Sequence, residues 1–193
     1  ALNTNRSNVG QLAKEKEAEL AKLKQAQNDM LQSLKKEVET GEVMVNQLAD
    51  RLSVKILDKI LFASGEATIS GKGQSVLKRV CKVLAQARDK DKIIRIEGHT
   101  DNVPIGAKIK DKFATNWELS TARATTVVRF LAESSKIPPD AFEAAGLGEH
   151  HPVAKNDTPQ GRAQNRRIEI ILYPRVQELA KELPKVKEPA AVD

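Results

Sequence analysis

Gly98-His99-Thr100-Asp101 closes the strongest strand signal of the sequence, Ile93-Ile94-Arg95-Ile96-Glu97, and delivers a carboxylate to the rim of an expected sheet. Gly98 is expected to let the chain turn sharply there. Further on, Arg123 lies four residues after Leu119 and four before Val127, at the edge of the core-facing stripe of an expected helix. A guanidinium so close to a core needs an anionic partner, because removing it from water unpaired is costly. The spacing leaves two readings open. Asp101 and Arg123 form an ion pair that ties helix to loop, or both charges face a shared pocket. In the pocket a carboxylate would attract an ammonium and a guanidinium would grip a carboxylate with two parallel hydrogen bonds, which together recognise the zwitterionic end of an amino acid. Asn116, seven positions before Arg123, would add a hydrogen bond to a ligand or cap the helix.

Other reactive side chains form no comparable set. His99, His150 and His151, with Asp101 or Glu149 as further ligands, fit no zinc spacing such as His-Glu-x-x-His, so a metal hydrolase finds little support and no metal or cofactor is expected. The single Cys81 sits among Val80, Val83 and Leu84 and reads as a small core residue. Five of the six excess positive charges fall in residues 41–173, where Lys155, Arg162, Arg166 and Arg167 gather in a stretch almost free of acids. That cluster would attract an anion or form a solvated face. Aromatic side chains are only 3% of the chain and no nucleic-acid-binding motif is present, so no nucleic-acid partner is expected. Trp117, Val103 and Ile105 read as packing residues that shape the long loop before the helix.

The elements that must hold these residues can be read from periodicity. Residues 1–40 carry apolar side chains at Leu12, Leu20, Leu23, Met30, Leu34 and Val38, a narrow stripe expected of an exposed spacer helix or weak coiled coil of roughly 45 Å, ended by Gly41. From Val43 the period changes to two, through Val45, Leu52, Val54 and Ile56, and the run through Phe62 to Gly65 reads as a strand end and turn. A helix follows Ser70. Thr115-Asn116-Trp117-Glu118 is a capping box for a helix to about Ser134, and Thr158-Pro159 opens a short one. Strands are expected at 93–97, near 142–148 and at 167–173. The order implies an α/β two-layer sandwich, a mixed β-sheet with helices on one face, plus the N-terminal long helix. Residues 174–193 read as a short helix and a disordered tail.

The runs GHTDNVPI, NWELSTARATTVV and GLGEHHPVAKNDTPQGRAQNRRIEIIL, in this order, resemble the OmpA-like peptidoglycan-binding domain, in the version found in flagellar stator subunits of the MotB type. The likeness covers residues 41–172. It implies noncatalytic binding of the peptidoglycan stem peptide, chiefly its diaminopimelate residue, in the periplasm. By motif position, Asp101 resembles the family's ligand-binding aspartate and Arg123 its ligand-binding arginine, while Asn116, Thr100, Asn165 and Arg166 fall where the family lines or braces its pocket. The stretch between Asp101 and Asn116 is longer than in the shortest family members. The longest apolar runs fall short of the roughly 20 residues a spanning helix needs. Attachment to the inner or outer membrane is therefore expected through a segment preceding Ala1, and the N-terminal helix offers a face for a homodimer.

Overall fold

The computed structural model describes residues 2–175. Its elements are α1 (Leu2–Ser33), α2 (Lys35–Glu39), β1 (Val43–Leu48), β2 (Arg51–Leu57), α3 (Asp58–Leu61), α4 (Gly71–Ala87), β3 (Lys92–His99), α5 (Asn116–Ser134), β4 (Phe142–Gly146), α6 (Pro159–Asn165) and β5 (Arg167–Pro174). Apart from Pro174 and Arg175, the expected C-terminal tail lies outside the described residues.

The five strands run in the order β1-β2-β5-β3-β4, antiparallel except for the parallel pair β3 and β4. Alternation sends Val43, Val45, Leu52, Val54, Ile56, Ile94, Ile96, Ile168, Ile170 and Leu172 to one face, where all are buried. Helix α5 packs on β3 and β4, α4 packs against α5 and α1, and α1 reaches β1 and β2. One layer of helices thus covers one face of a mixed sheet, as the sequence implies.

The N-terminal helix departs from its expected role. Its first part leaves Val9, Leu12 and Leu20 exposed, but Leu23, Ala26, Met30 and the following Leu34 join the common core, each no more than 4% exposed. Polar contacts fix it there: Lys92 Nζ meets Glu19 Oε1 at 2.6 Å, and the Arg79 guanidinium forks onto Glu37 at 2.6 and 3.2 Å while donating to Ser33 O. The C-terminal part of the stripe fits a groove that α4 and β1 of the same chain supply.

Gly98 does not turn the chain, since β3 continues through His99. A Cβ at Gly98 would lie 2.2 Å from Ser120 O, and one at Gly146, its cross-strand partner, 2.0 Å from Thr121 Oγ1. The two glycines form a notch into which α5 settles. That close approach brings the α5 side chains to the end of β3 where Asp101 emerges.

Candidate functional site

Three strand ends meet at one edge of the sheet. Leu57 and His99, the last residues of β2 and β3, both pair with Arg167 at the start of β5. Asp58 N donates to Arg166 O at 3.0 Å. Asp58, Asp101 and Arg166, far apart in sequence, are thereby brought together. Helix α5 supplies Asn116 and Arg123 from the side. Its start is fixed as expected: Thr115 Oγ1 accepts from Trp117 N at 3.1 Å, and Glu118 Oε2 accepts from Thr115 N at 2.7 Å.

These groups line a cleft of about 920 Å³, together with Thr100, Phe62, Lys59, Arg162 and the loop from Val103 to Ile109. The long loop forms one wall. Ile109 rests against Gly65, 3.2 Å from where a Cβ would stand, and Lys112 reaches Glu66 at 3.6 Å.

Asp101 and Arg123 share the cleft, but neither is the other's direct partner. Arg123, 3% exposed, donates from Nη1 to Asp58 Oδ2 at 3.1 Å and from Nε to Glu66 O at 2.9 Å, and its guanidinium lies 5.0 Å from the Phe62 ring centre. Its Nη2 makes no hydrogen bond among the described residues. Asp101 accepts from Val103 N at 3.1 Å through Oδ1, and its Oδ2 accepts from Arg166 Nη1. Arg166 Nε stands 3.8 Å from Asp58 Oδ1 and closes the series Asp101, Arg166, Asp58, Arg123, in which the signs alternate. The direct Asp101–Arg123 pair is therefore replaced by two pairs, because Asp58 reaches the guanidinium first.

Burial pushes the Asp58 carboxyl above the usual aspartate range, against the opposing pull of Arg123 and Arg166. Burial likewise lowers the Arg123 guanidinium, with Asp58 acting in the other direction. Both directions say that the desolvation of this pair is incompletely offset within the chain. An added charge partner entering the cleft would find both groups under-solvated.

The remaining expected site residues divide by role. Thr100 lines the cleft, while its hydroxyl oxygen is buried without a hydrogen-bond partner among the described residues. Asn116 Nδ2 donates to Val103 O at 3.1 Å, Asp101 O at 3.3 Å and Glu149 Oε2 at 2.7 Å, so it pins the loop and also lines the cleft. Asn165 stays outside. Fully buried, it accepts from Val153 N and Ala154 N and donates to Ala154 O and Asn156 Oδ1, bracing the turn before α6.

The basic cluster does not act together. Arg162 and Arg166 line the cleft, Lys155 is exposed, and Arg167 points to the opposite face of the sheet, where it meets Glu169 at 2.6 Å. Among the described residues no three His, Cys, Asp or Glu side chains converge as a metal cluster would. His99 is buried edge-on to His151, and His150 stacks on Trp117. The Cys81 thiol is buried, which pushes its pKa up and disfavours the thiolate, and it lies in the core as expected. No helix among the described residues is long and apolar enough to cross a membrane. Sequence reasoning missed Asp58. Asp58 is the acidic residue of the first turn of α3, at the end of a run that alternates like a strand and so gave no separate helix signal.

Known proteins share this arrangement of chain. The motility protein B of Bacillus subtilis is 34% identical over 160 residues, covering 79% of this chain and 59% of its own length. This chain thus spans about six tenths of the length of the curated relatives it matches. The crystal structure of a MotB-like protein from Desulfovibrio vulgaris superposes with a TM-score of 0.72 at 26% identity, over 83% of this chain and 96% of that one. The cell wall anchor of the T6SS from Pseudomonas aeruginosa does so with a TM-score of 0.65 at 32% identity, over 76% and 97%. Residues 61–166, more than half of the sequence and including Asp101, Arg123, Arg162 and Arg166 of the cleft, match the OmpA family, and the chain belongs to that family.

Proposed function

We propose that the chain is a noncatalytic binding module that grips peptidoglycan through the diaminopimelate of its stem peptide and so anchors an envelope protein or complex to the cell wall. The observation that carries this reading is the alternating series Asp101, Arg166, Asp58, Arg123 around one open cleft. The far end of diaminopimelate carries an ammonium and a carboxylate on one carbon. Arg123, with Nη2 uncommitted, donates to that carboxylate, while Asp101 and Asp58 accept from the ammonium. Asn116 offers a further polar contact, Arg166 links Asp101 to Asp58, and Asn165 holds the neighbouring turn. The wall lies in the periplasm, and that is where this cleft works.

The likeness to motility protein B, together with the long loop wall, favours the periplasmic part of a stator subunit as the setting. In that setting the exposed Val9, Leu12 and Leu20 of α1 pair two copies of the chain.

Sedimentation with insoluble, protein-free cell wall tests the reading. The wild-type chain is expected to co-sediment, and Asp101→Ala and Arg123→Ala to remain in the supernatant with unchanged circular dichroism. Co-sedimentation of both variants at the wild-type level would refute it.

A further inference from the structure

Trp117 departs from its expected packing role. It is 46% exposed, and the ring of His150, itself exposed, stacks on it with centroids 4.8 Å apart and planes 26° apart. Both rings lie beside Gly148, each 3.6 Å from its Cβ position, an ordinary contact distance, and the positive φ of 54° at Gly148 is what favours glycine at this turn. In a chain with one Trp and one Tyr, an indole held half in water by a second ring is an unusual use of apolar surface. The stack fixes the indole's orientation before any ligand arrives, which lowers the ordering cost of binding.

Neither Trp117 nor His150 lines the cleft, but both neighbour residues tied to it: Asn116, beside Trp117, lines it, and Glu149, beside His150, accepts from Asn116 Nδ2 at 2.7 Å. Asn116 also donates to Val103 O, and Val103, 51% exposed, belongs to the cleft wall. Adjacent Cα atoms lie about 3.8 Å apart. In peptidoglycan the diaminopimelate is the third residue of a peptide whose first residue is joined through a lactyl group to a sugar of the glycan strand. On the order of 10 Å therefore separates the clasped amino acid from the first pyranose ring. That is ample to pass from the cleft over Asn116 to the indole.

We propose that Trp117, backed by His150, is a saccharide platform on which a pyranose ring of the glycan strand packs its C–H face while the cleft holds the stem peptide. An aromatic face suits such a ring, which is apolar on its C–H faces and polar around its edge. The exposed imidazole offers hydrogen bonds to that edge. This inference rests on the peptide-binding reading of the cleft and adds the second half of the ligand to it.

The test compares three soluble probes on the full chain: the diaminopimelate tripeptide, the same tripeptide on its disaccharide, and the disaccharide alone. Calorimetry measures affinity, and the fluorescence of the sole tryptophan reports contact. The disaccharide-bearing peptide is expected to bind roughly tenfold tighter than the bare peptide and to change the fluorescence. Trp117→Leu removes that advantage and leaves the affinity for bare peptide as it was, and His150→Ala reduces it. Equal wild-type affinity for the two peptides, or an equal loss of both in Trp117→Leu, overturns the platform. If neither peptide binds, the cleft reading falls. The platform then falls with it only if the disaccharide alone also leaves the fluorescence unchanged.

Discussion

Asp58 stands between two guanidiniums, and its removal separates the parts the site plays in stability and in binding. Asp58→Ala leaves Arg123 buried and without its carboxylate, which should cost on the order of 3 kcal/mol in urea unfolding. Because burial raises the Asp58 carboxyl, the folded chain holds that proton more tightly than the unfolded one. The stability this gives is complete below the unfolded value and is lost as pH rises through the folded one. A ligand ammonium beside Asp58 pulls the other way. Affinity for the stem peptide should therefore rise as pH climbs above the ordinary aspartate range, with protons released on binding, and Asp58→Asn should flatten the profile. Calorimetry in buffers of different ionisation enthalpy would show a constant heat if Asp58 takes no part. Asp101 and Arg123 were legible in the sequence because each is marked locally, one by a strand exit and the other by its place at the edge of the apolar stripe between Leu119 and Val127. Asp58 meets Arg123 across 65 residues of chain, and no local spacing encodes that meeting.

Among the elements, α1 and α5 carry the consequences. The periodicity of α1 was readable, but its partner was not, since a narrow apolar stripe looks the same whether it waits for a second copy or fits a groove in its own domain. The structure gives its two ends different work. Met30→Ala should destabilise the domain by about 2–5 kcal/mol in chemical denaturation, a loss that a free spacer helix would not produce. Arg79 holds the Glu37 carboxyl below its usual range by hydrogen bonding, outweighing burial. A depressed folded value means that the clamp stabilises above the unfolded value and is lost as pH falls through the folded one. Glu37→Gln should accordingly weaken the acid limb of the stability profile while sparing wall binding. The opposite balance is expected of Gly98→Ala. A methyl 2.2 Å from Ser120 O forces α5 away from β3, which displaces Asn116 and Arg123 and abolishes wall binding as well as lowering the melting temperature. The role of Gly98 in helix packing was hidden because a glycine at a strand end reads as a turn, and only the crossing of α5 reveals the notch.

At the level of the whole molecule, a single sheet edge gathers the ends of β2 and β3 and the start of β5, and the helical layer completes the cleft from one side. Layer order and sheet composition were legible from the alternation of periods two and 3.6. The juxtaposition of the strand ends depends on β5 entering between β2 and β3, which no pattern within one segment specifies. If α1 also joins two copies, sedimentation equilibrium should give a dimer for the wild-type chain and a monomer for the double variant Leu12→Glu, Leu20→Glu, with the fold intact. A wild-type monomer would confine α1 to its role in the core. The central claim is that the cleft clasps both charges of an amino acid's zwitterionic end. Its most direct measurement is the affinity ratio between a diaminopimelate stem tripeptide and its lysine counterpart, which keeps the ammonium and lacks the carboxylate, taken for the wild-type chain and for Arg123→Lys. The account expects the wild type to favour diaminopimelate by roughly tenfold or more and Arg123→Lys, still folded, to lose most of that preference. A wild-type chain that binds both peptides equally, or a preference that survives intact in Arg123→Lys, would contradict it.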